Sequence, residues 1–289
     1  MKKKKIYLGS FVRLKQPSYL RGVVEETISY NGNSFMFFLG SPQRFQVVDK
    51  NKLDIKIFET LLKKYQINRN NVFVHLPYLI NLANYNNPRV LHNSKQLMKA
   101  NLKLCEYLQI KRVILHPGCA LKNNRRFCLQ KITEHLDEIL EEFPSIIVCL
   151  ETMSGKGSEL GRNFDELKII IEKSKHPKQI AVCFDLCHLY SAGYDLIKNW
   201  EGILKEFDEK IGLDKLLVCH INDSKTPFYS QKDRHANIGK GQIGLQPIQK
   251  IIHDSKMEGK TMILETPYID EQPPYKEEIS LLLNLDNEK

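Results

Sequence analysis

Apolar residues gather in eight short runs along the chain: 5–10 (KIYLGS), 34–39 (SFMFFL), 71–76 (NVFVHL), 112–117 (RVILHP), 146–151 (IIVCLE), 180–185 (IAVCFD), 216–221 (LLVCHI) and 261–266 (TMILET). The runs are continuous rather than alternating, the pattern of strands covered on both faces. Between them the apolar spacing becomes helical. Residues 54–65 put Ile57, Leu61 and Leu62 on one face, and residues 94–108 do the same with Leu97, Leu104 and Leu108. Amphipathic helices are also predicted over 128–143, 163–174 and 202–212. Strand followed by helix, eight times over, predicts an α/β fold, a (β/α)8 TIM barrel, with 1–289 as one domain. The second unit is the least regular, because the segment after Phe38 turns polar before the helix near 54.

Such a barrel carries its chemistry at the C-terminal ends of its strands. From the third strand to the eighth, those ends are predicted to hold His75, His116, Glu151, Asp185, His220 and Glu265. Alone, a histidine there is ordinarily a hydrogen-bonded residue, and a glutamate is ordinarily half of an ion pair. Six such groups on one rim would repel and desolvate one another unless cations held them. Three more candidates extend the set. His188 follows Asp185 by three residues, and Asp233 and His235 are two apart, on one side of an extended segment. Imidazole with carboxylate is a zinc environment, which manganese or iron also suits. The set is too large for one ion and fits two or three, with Glu151 or another carboxylate bridging. His92, His135, His176 and His253 fall in helical or turn segments and are read as surface residues, and EHLDEILEEF as a solvated helix face.

Charge and cysteine usage narrow the class. Lysine and arginine number 43 against 34 aspartate and glutamate, a net charge of +9. A basic balance suits a polyanionic partner such as nucleic acid, although solubility alone would also explain it. The seven cysteines are odd in number and several lie in apolar runs, which fits reduced thiols in a cytoplasmic protein. Cys183 and Cys187 lack the spacing of a zinc knuckle and are not assigned as ligands. No apolar run is long enough to cross a membrane. The start MKKKKIYLGSF reads as a solvated lysine tail rather than a signal peptide. Gly239–Gly244 matches the G-x-G-x-x-G spacing of a dinucleotide-binding turn. No βαβ unit with a distal ribose-binding acid surrounds it, so the match is read as accidental. The loop is expected to present Asp233 and His235 to the rim, with Lys240 facing a phosphate.

Four segments resemble the endonuclease IV family of apurinic/apyrimidinic endonucleases: HLPYLINLAN (75–84), ETMSGKGSELG (151–161), CFDLCHLYSAGYDL (183–196) and HINDSKTPFYSQKDRHANIGKGQIG (220–244). HPG (116–118) and ILETP (263–267) support them, and the resemblance spans nearly the whole chain. It implies a xylose-isomerase-like barrel with three zinc ions that cuts double-stranded DNA 5′ to abasic sites. The implied products are a 3′-hydroxyl and a 5′-deoxyribose phosphate, with 3′-repair phosphodiesterase activity besides. By resemblance, His75 and His116 bind one zinc with Glu151 bridging. Asp185, His220 and Glu265 complete a second site with Glu151, and His188, Asp233 and His235 bind the third. Glu151 and Glu265 also orient the attacking water, and the third site faces the departing 3′-oxygen. Tyr78 and Leu79 match the loop that the family inserts at the lesion, and Arg44 is a weaker match. Lys225, Arg234 and Lys240 are placed to meet phosphates, and a monomer is expected. The chain departs from the family at Phe11, where many members carry histidine, in HLPY, which replaces a more polar loop, and in ETMSGKG, a conservative change that keeps the acid.

Overall fold

The computed structural model describes residues 5–284, so most of the lysine tail lies outside the described residues. Eight parallel strands close into a barrel: β1 (Tyr7–Phe11), β2 (Phe35–Phe37), β3 (Val72–His75), β4 (Arg112–Leu115), β5 (Ile147–Glu151), β6 (Ile180–Asp185), β7 (Leu216–Ile221) and β10 (Thr261–Leu264). Strand β1 closes the ring by pairing with both β2 and β10. Strands β8 (Asp223–Ser224) and β9 (His235–Ala236) form a separate antiparallel ribbon.

Two cores explain why the strands read as continuous apolar runs. Met36, Phe73, Ile114, Cys149, Ala181, Cys183, Val218 and Ile263 point inward and fill the barrel. Their neighbours along the strands, such as Phe35, Phe37, Val72, Val74, Val113 and Val148, join the larger core packed against the outer helices. Side chains alternate between faces along a strand, and here both faces are dry. At Gly9 the staves approach so closely that a Cβ would fall 1.6 Å from the Ser34 carbonyl oxygen. Only glycine fits there.

The outer layer comprises α1 (Tyr19–Ser29), α2 (Ile55–Lys64), α3 (Pro88–Tyr107), α4 (Arg125–Glu142), α5 (Phe164–Lys173), α6 (Leu186–Ala192), α7 (Trp200–Lys210), α8 (Leu245–Ile252) and α9 (Tyr275–Leu283). The five helices predicted individually all form, and α3 starts six residues ahead of its predicted start at 94. There Asn87 caps the helix and Pro88 opens it, a start signal stronger than the apolar spacing. The sixth unit carries two helices, because Gly193 in the left-handed region stops α6 early. In the irregular second unit, β2 spans only Phe35–Phe37 of the predicted 34–39.

All seven cysteines are free and all but Cys119 are buried. No helix among the described residues is long and apolar enough to cross a membrane.

Candidate metal centre

The barrel delivers its polar residues to one mouth. His75, Glu151 and Asp185 are the last residues of their strands, and His220 is the last but one. His116 and Glu265 lie one residue beyond β4 and β10 rather than within them. His188 arrives by another route. The Asp185 side chain caps α6 by accepting the His188 N–H at 2.7 Å, and this capped first turn aims the imidazole at the mouth. Asp233 and His235 come from outside the barrel, at and just before β9.

These side chains fall into three groups, each with its ligand atoms within 4.8 Å of one another: His75, His116 and Glu151; Glu151, Asp185, His220 and Glu265; and His188, Asp233 and His235. Glu151 joins the first two. Its Oε2 lies 3.1 Å from His75 Nε2 and 3.2 Å from His116 Nε2. Its Oε1 lies 3.2 Å from His220 Nδ1 and 3.3 Å from His188 Nδ1. His220 Nδ1 is also 2.8 Å from Glu265 Oε2. His188 Nε2 and His235 Nε2 each lie 3.3 Å from the same Asp233 oxygen.

The hydrogen bonds behind the imidazoles test whether cations fit. His75 Nδ1 meets the Leu76 carbonyl at 2.7 Å, His188 Nδ1 the Thr152 carbonyl at 2.9 Å, and His235 Nδ1 the Glu265 carbonyl at 3.3 Å. Each carbonyl takes the Nδ1 proton and leaves the Nε2 lone pair turned toward the mouth, the backing that metal-ligating histidines have. Those lone pairs then face carboxylate oxygens, acceptor against acceptor. Such an array holds together only around added positive charge. The Nε2 atoms of His188 and His235 are buried and complete no hydrogen bond. The donor set of nitrogen and oxygen therefore suits zinc, and manganese or iron as well.

The acids and imidazoles at the mouth also shift one another's pKa values. Burial works to lower the pKa of His188, but Asp185, Asp233 and Glu151 outweigh it and raise it well above the ordinary value. Burial works to raise that of Glu265, and His220 outweighs it and holds the carboxyl down at about 2. Cys183 comes within ligand range of Glu151 and His220, and Cys187 of Asp185 and His235. Burial pushes their thiols up to about 12 and about 11, which disfavours the thiolate that would bind a metal.

Above the three groups opens a cleft of about 440 Å³ lined by His75, Tyr78, His116, Glu151, Asp233 and Glu265 among others. Asp185 and His220 lie beneath it, fully buried. Tyr78 is 47% exposed and stacks on His116 at 4.9 Å between ring centroids. Phe38 packs edge-on against Tyr78 at 5.4 Å and Phe11 against Phe38 at 5.6 Å, so Phe11 extends an aromatic wall beside the centre. Leu79 is half-buried against the core, and Arg44, Lys225, Arg234 and Lys240 are exposed on loops. Arg44 and the three other basic residues do not line the cleft. His92 is exposed, whereas His135, His176 and His253 are half-buried rather than on the surface, because backbone carbonyls or neighbouring acids hold them against the helices. None of the four joins the three groups.

Two residues of the centre went unread in the sequence. Asn222 Nδ2 donates to Asp185 Oδ2 at 2.7 Å, and its Oδ1 accepts the Glu265 N–H at 3.1 Å. Thr152 Oγ1 accepts the Asp185 N–H at 2.9 Å. Period-two alternation from His220 would have flagged Asn222.

Known proteins share both sequence and fold with this chain. The sequence model of the xylose isomerase-like TIM barrel family matches residues 24–285. A probable endonuclease 4 of Mesoplasma florum is 41% identical over 97% of this chain and 97% of its own length. One from Bacillus subtilis is 37% identical over 95% of this chain and 94% of its own length. Among solved structures, endonuclease IV from Thermus thermophilus superposes with a TM-score of 0.83 at 24% identity, covering 96% of this chain and 98% of that one. A D-tagatose 3-epimerase-like protein superposes at 0.69 and 19% identity over 95% and 96% of the two chains, which shows a shared fold alone. Full-length identity to these relatives, on this barrel, places the chain in the endonuclease IV family of apurinic/apyrimidinic endonucleases.

Proposed function

We propose that this chain repairs DNA by hydrolysing the phosphodiester 5′ to an abasic site in a duplex, with three zinc ions held at the barrel mouth. One observation carries the reading: three groups of imidazole and carboxylate ligand atoms, joined through Glu151, surround a single cleft. The names of the relatives agree with it. Bound cations would lower the pKa of water toward neutrality and offset charge on the attacking and departing oxygens. His75, His116 and Glu151 would hold the first, Asp185, His220 and Glu265 with Glu151 the second, and His188, Asp233 and His235 the third. Manganese or iron would serve at one site.

The chain's own residues do the rest. Glu265 lines the cleft and orients the water whose oxygen ends on phosphorus. The P–O3′ bond breaks, and a proton from that water ends on the 3′-oxygen. The products are a 3′-hydroxyl and a 5′-deoxyribose phosphate. The same geometry serves 3′-blocked ends as a 3′-repair phosphodiesterase. Arg44, Lys225, Arg234 and Lys240 contact backbone phosphates and fix register without reading sequence. An abasic nucleotide lacks stacking, so it leaves the helix at lower cost than an intact one. Tyr78 and Leu79 fill the space it leaves.

The test is a duplex carrying one tetrahydrofuran abasic analogue, which blocks β-elimination and so excludes a lyase. Incision occurs 5′ to the analogue, prolonged chelation abolishes it, and added zinc restores it. Fully metallated protein that leaves this duplex intact while epimerising a ketose rejects the proposal. Tyr78→Ala weakens binding to the same duplex by about 1–3 kcal/mol, roughly 5–150-fold in Kd, and leaves intact duplex unaffected. Tyr78→Phe keeps the ring on His116 and binds as the parent does; equal loss in both variants, measured by fluorescence anisotropy, would refute a stacking role.

A further inference from the structure

The glycine-rich loop is an anion cradle after all, but its anion belongs to the protein. Asp223 is fully buried. Its Oδ1 accepts the N–H groups of Ser224 at 2.7 Å and Ile243 at 2.9 Å. Its Oδ2 accepts those of Gly239 at 3.1 Å, Gly241 at 3.0 Å and Gly244 at 3.2 Å. All five are backbone donors, and the last two residues of the loop lead directly into α8. Converging N–H groups at a helix start favour negative charge, the same physics that binds phosphate in dinucleotide folds. Gly239 and Gly244 take φ of +74° and +85°. A Cβ on Gly241 would lie 2.4 Å from Asp223 Oδ1 and 2.4 Å from the Ser224 carbonyl oxygen. The spacing that resembles a cofactor turn is therefore filled from within, and no room is left for an external phosphate on those amides.

What this cradle holds in place is the β8–β9 ribbon. Asp223 pairs with Ala236 and Ser224 with His235. The Ser224 carbonyl in turn accepts the Gln242 N–H at 2.7 Å, and the Lys225 N–H bonds the Arg234 carbonyl at 2.9 Å. Six of the candidate ligands, His75, His116, Glu151, Asp185, His220 and Glu265, stand on or directly after barrel strands. His188 stands on α6, anchored through Asp185. Only Asp233 and His235 depend on the ribbon, and both belong to the third group.

We infer that Asp223 is a positioning residue which, seated in the glycine loop, sets Asp233 and His235 and so confers metal binding on the His188, Asp233 and His235 group alone. The inference rests on the metal reading of the mouth. Asp223→Asn presents an amide N–H₂ to N–H donors and leaves buried donors without an acceptor. Gly241→Val disturbs the same cradle from the loop side while keeping the carboxylate.

Both variants are loaded with zinc, desalted and measured by native mass spectrometry and elemental analysis beside the parent. Each holds one ion fewer than the parent, with circular dichroism unchanged and the remaining ions as resistant to chelation as before. Variants that keep the parent's full complement overturn the inference while leaving the metal reading intact. Loss of every ion together with the circular dichroism signal in both variants also overturns it, because Asp223 would then serve the fold as a whole. A parent that holds no zinc removes the metal reading, and the inference with it.

Discussion

Glu151→Gln lowers incision of an abasic duplex by at least about 10²–10³-fold, the range for removing one preorganised electrostatic group, and lowers the zinc content as well. The expectation follows from where the carboxylate sits. Both of its oxygens are engaged, Oε2 by His75 and His116 and Oε1 by His188 and His220. Burial works to raise its pKa, yet His220 and His116 beside it hold it well below the usual carboxylate range. Glutamine keeps the volume and one acceptor. It replaces the other with an N–H₂ that points at imidazole nitrogens. No other residue belongs to two of the three candidate ligand groups that share oxygen and nitrogen donors alone. Zinc content and single-turnover incision are measured on the same preparation. A variant with the parent's zinc content and a rate within about threefold of it would show that Glu151 is not the bridge.

The barrel was legible in the sequence because its strands are dry on both faces. An apolar run with no alternation is what a parallel sheet between two cores requires, and Met36, Phe73 and Ile263 inside with Phe35 and Val74 outside supply it. Helices were less legible where capping rather than periodicity sets the ends. Asn87 and Pro88 start α3 ahead of its apolar pattern, and the Asp185 cap starts α6 inside a motif read only for its ligands. The convergence of residues at the mouth was legible for a topological reason. Parallel strands deliver all their C-terminal ends to one rim, so a list of strand ends is already a list of neighbours. Asp233 and His235 escape that rule. Their place depends on a two-residue ribbon and on Asp223 in its glycine cradle, a pairing across 16 to 21 residues that no local pattern announces. Asn222 and Thr152 were missed for a related reason, since their work is to hold ligands rather than to be ligands.

Glu265→Gln separates catalysis from assembly, and the structure gives a reason for the two to come apart. Glu265 is not enclosed like Glu151. Its side chain is 14% exposed against 2% for Glu151, and it borders the cleft. One oxygen sits 2.8 Å from His220 Nδ1. Its backbone is fixed independently of its charge, because the N–H donates to Asn222 and the carbonyl accepts from His235. Glutamine therefore retains position and most packing and loses only the negative charge at the cleft. Turnover falls by about 10²–10³-fold, whereas the Kd for the abasic duplex stays within about threefold, because Tyr78, Leu79 and the basic loops are untouched. A lowered kcat with unchanged binding is the signature of a group that acts in the transition state rather than in uniform binding. Fluorescence anisotropy gives the Kd and single-turnover incision the rate. Near-parent turnover would remove Glu265 from the chemistry and leave it a ligand only. A rise in Kd that matched the fall in rate would assign it to holding the DNA.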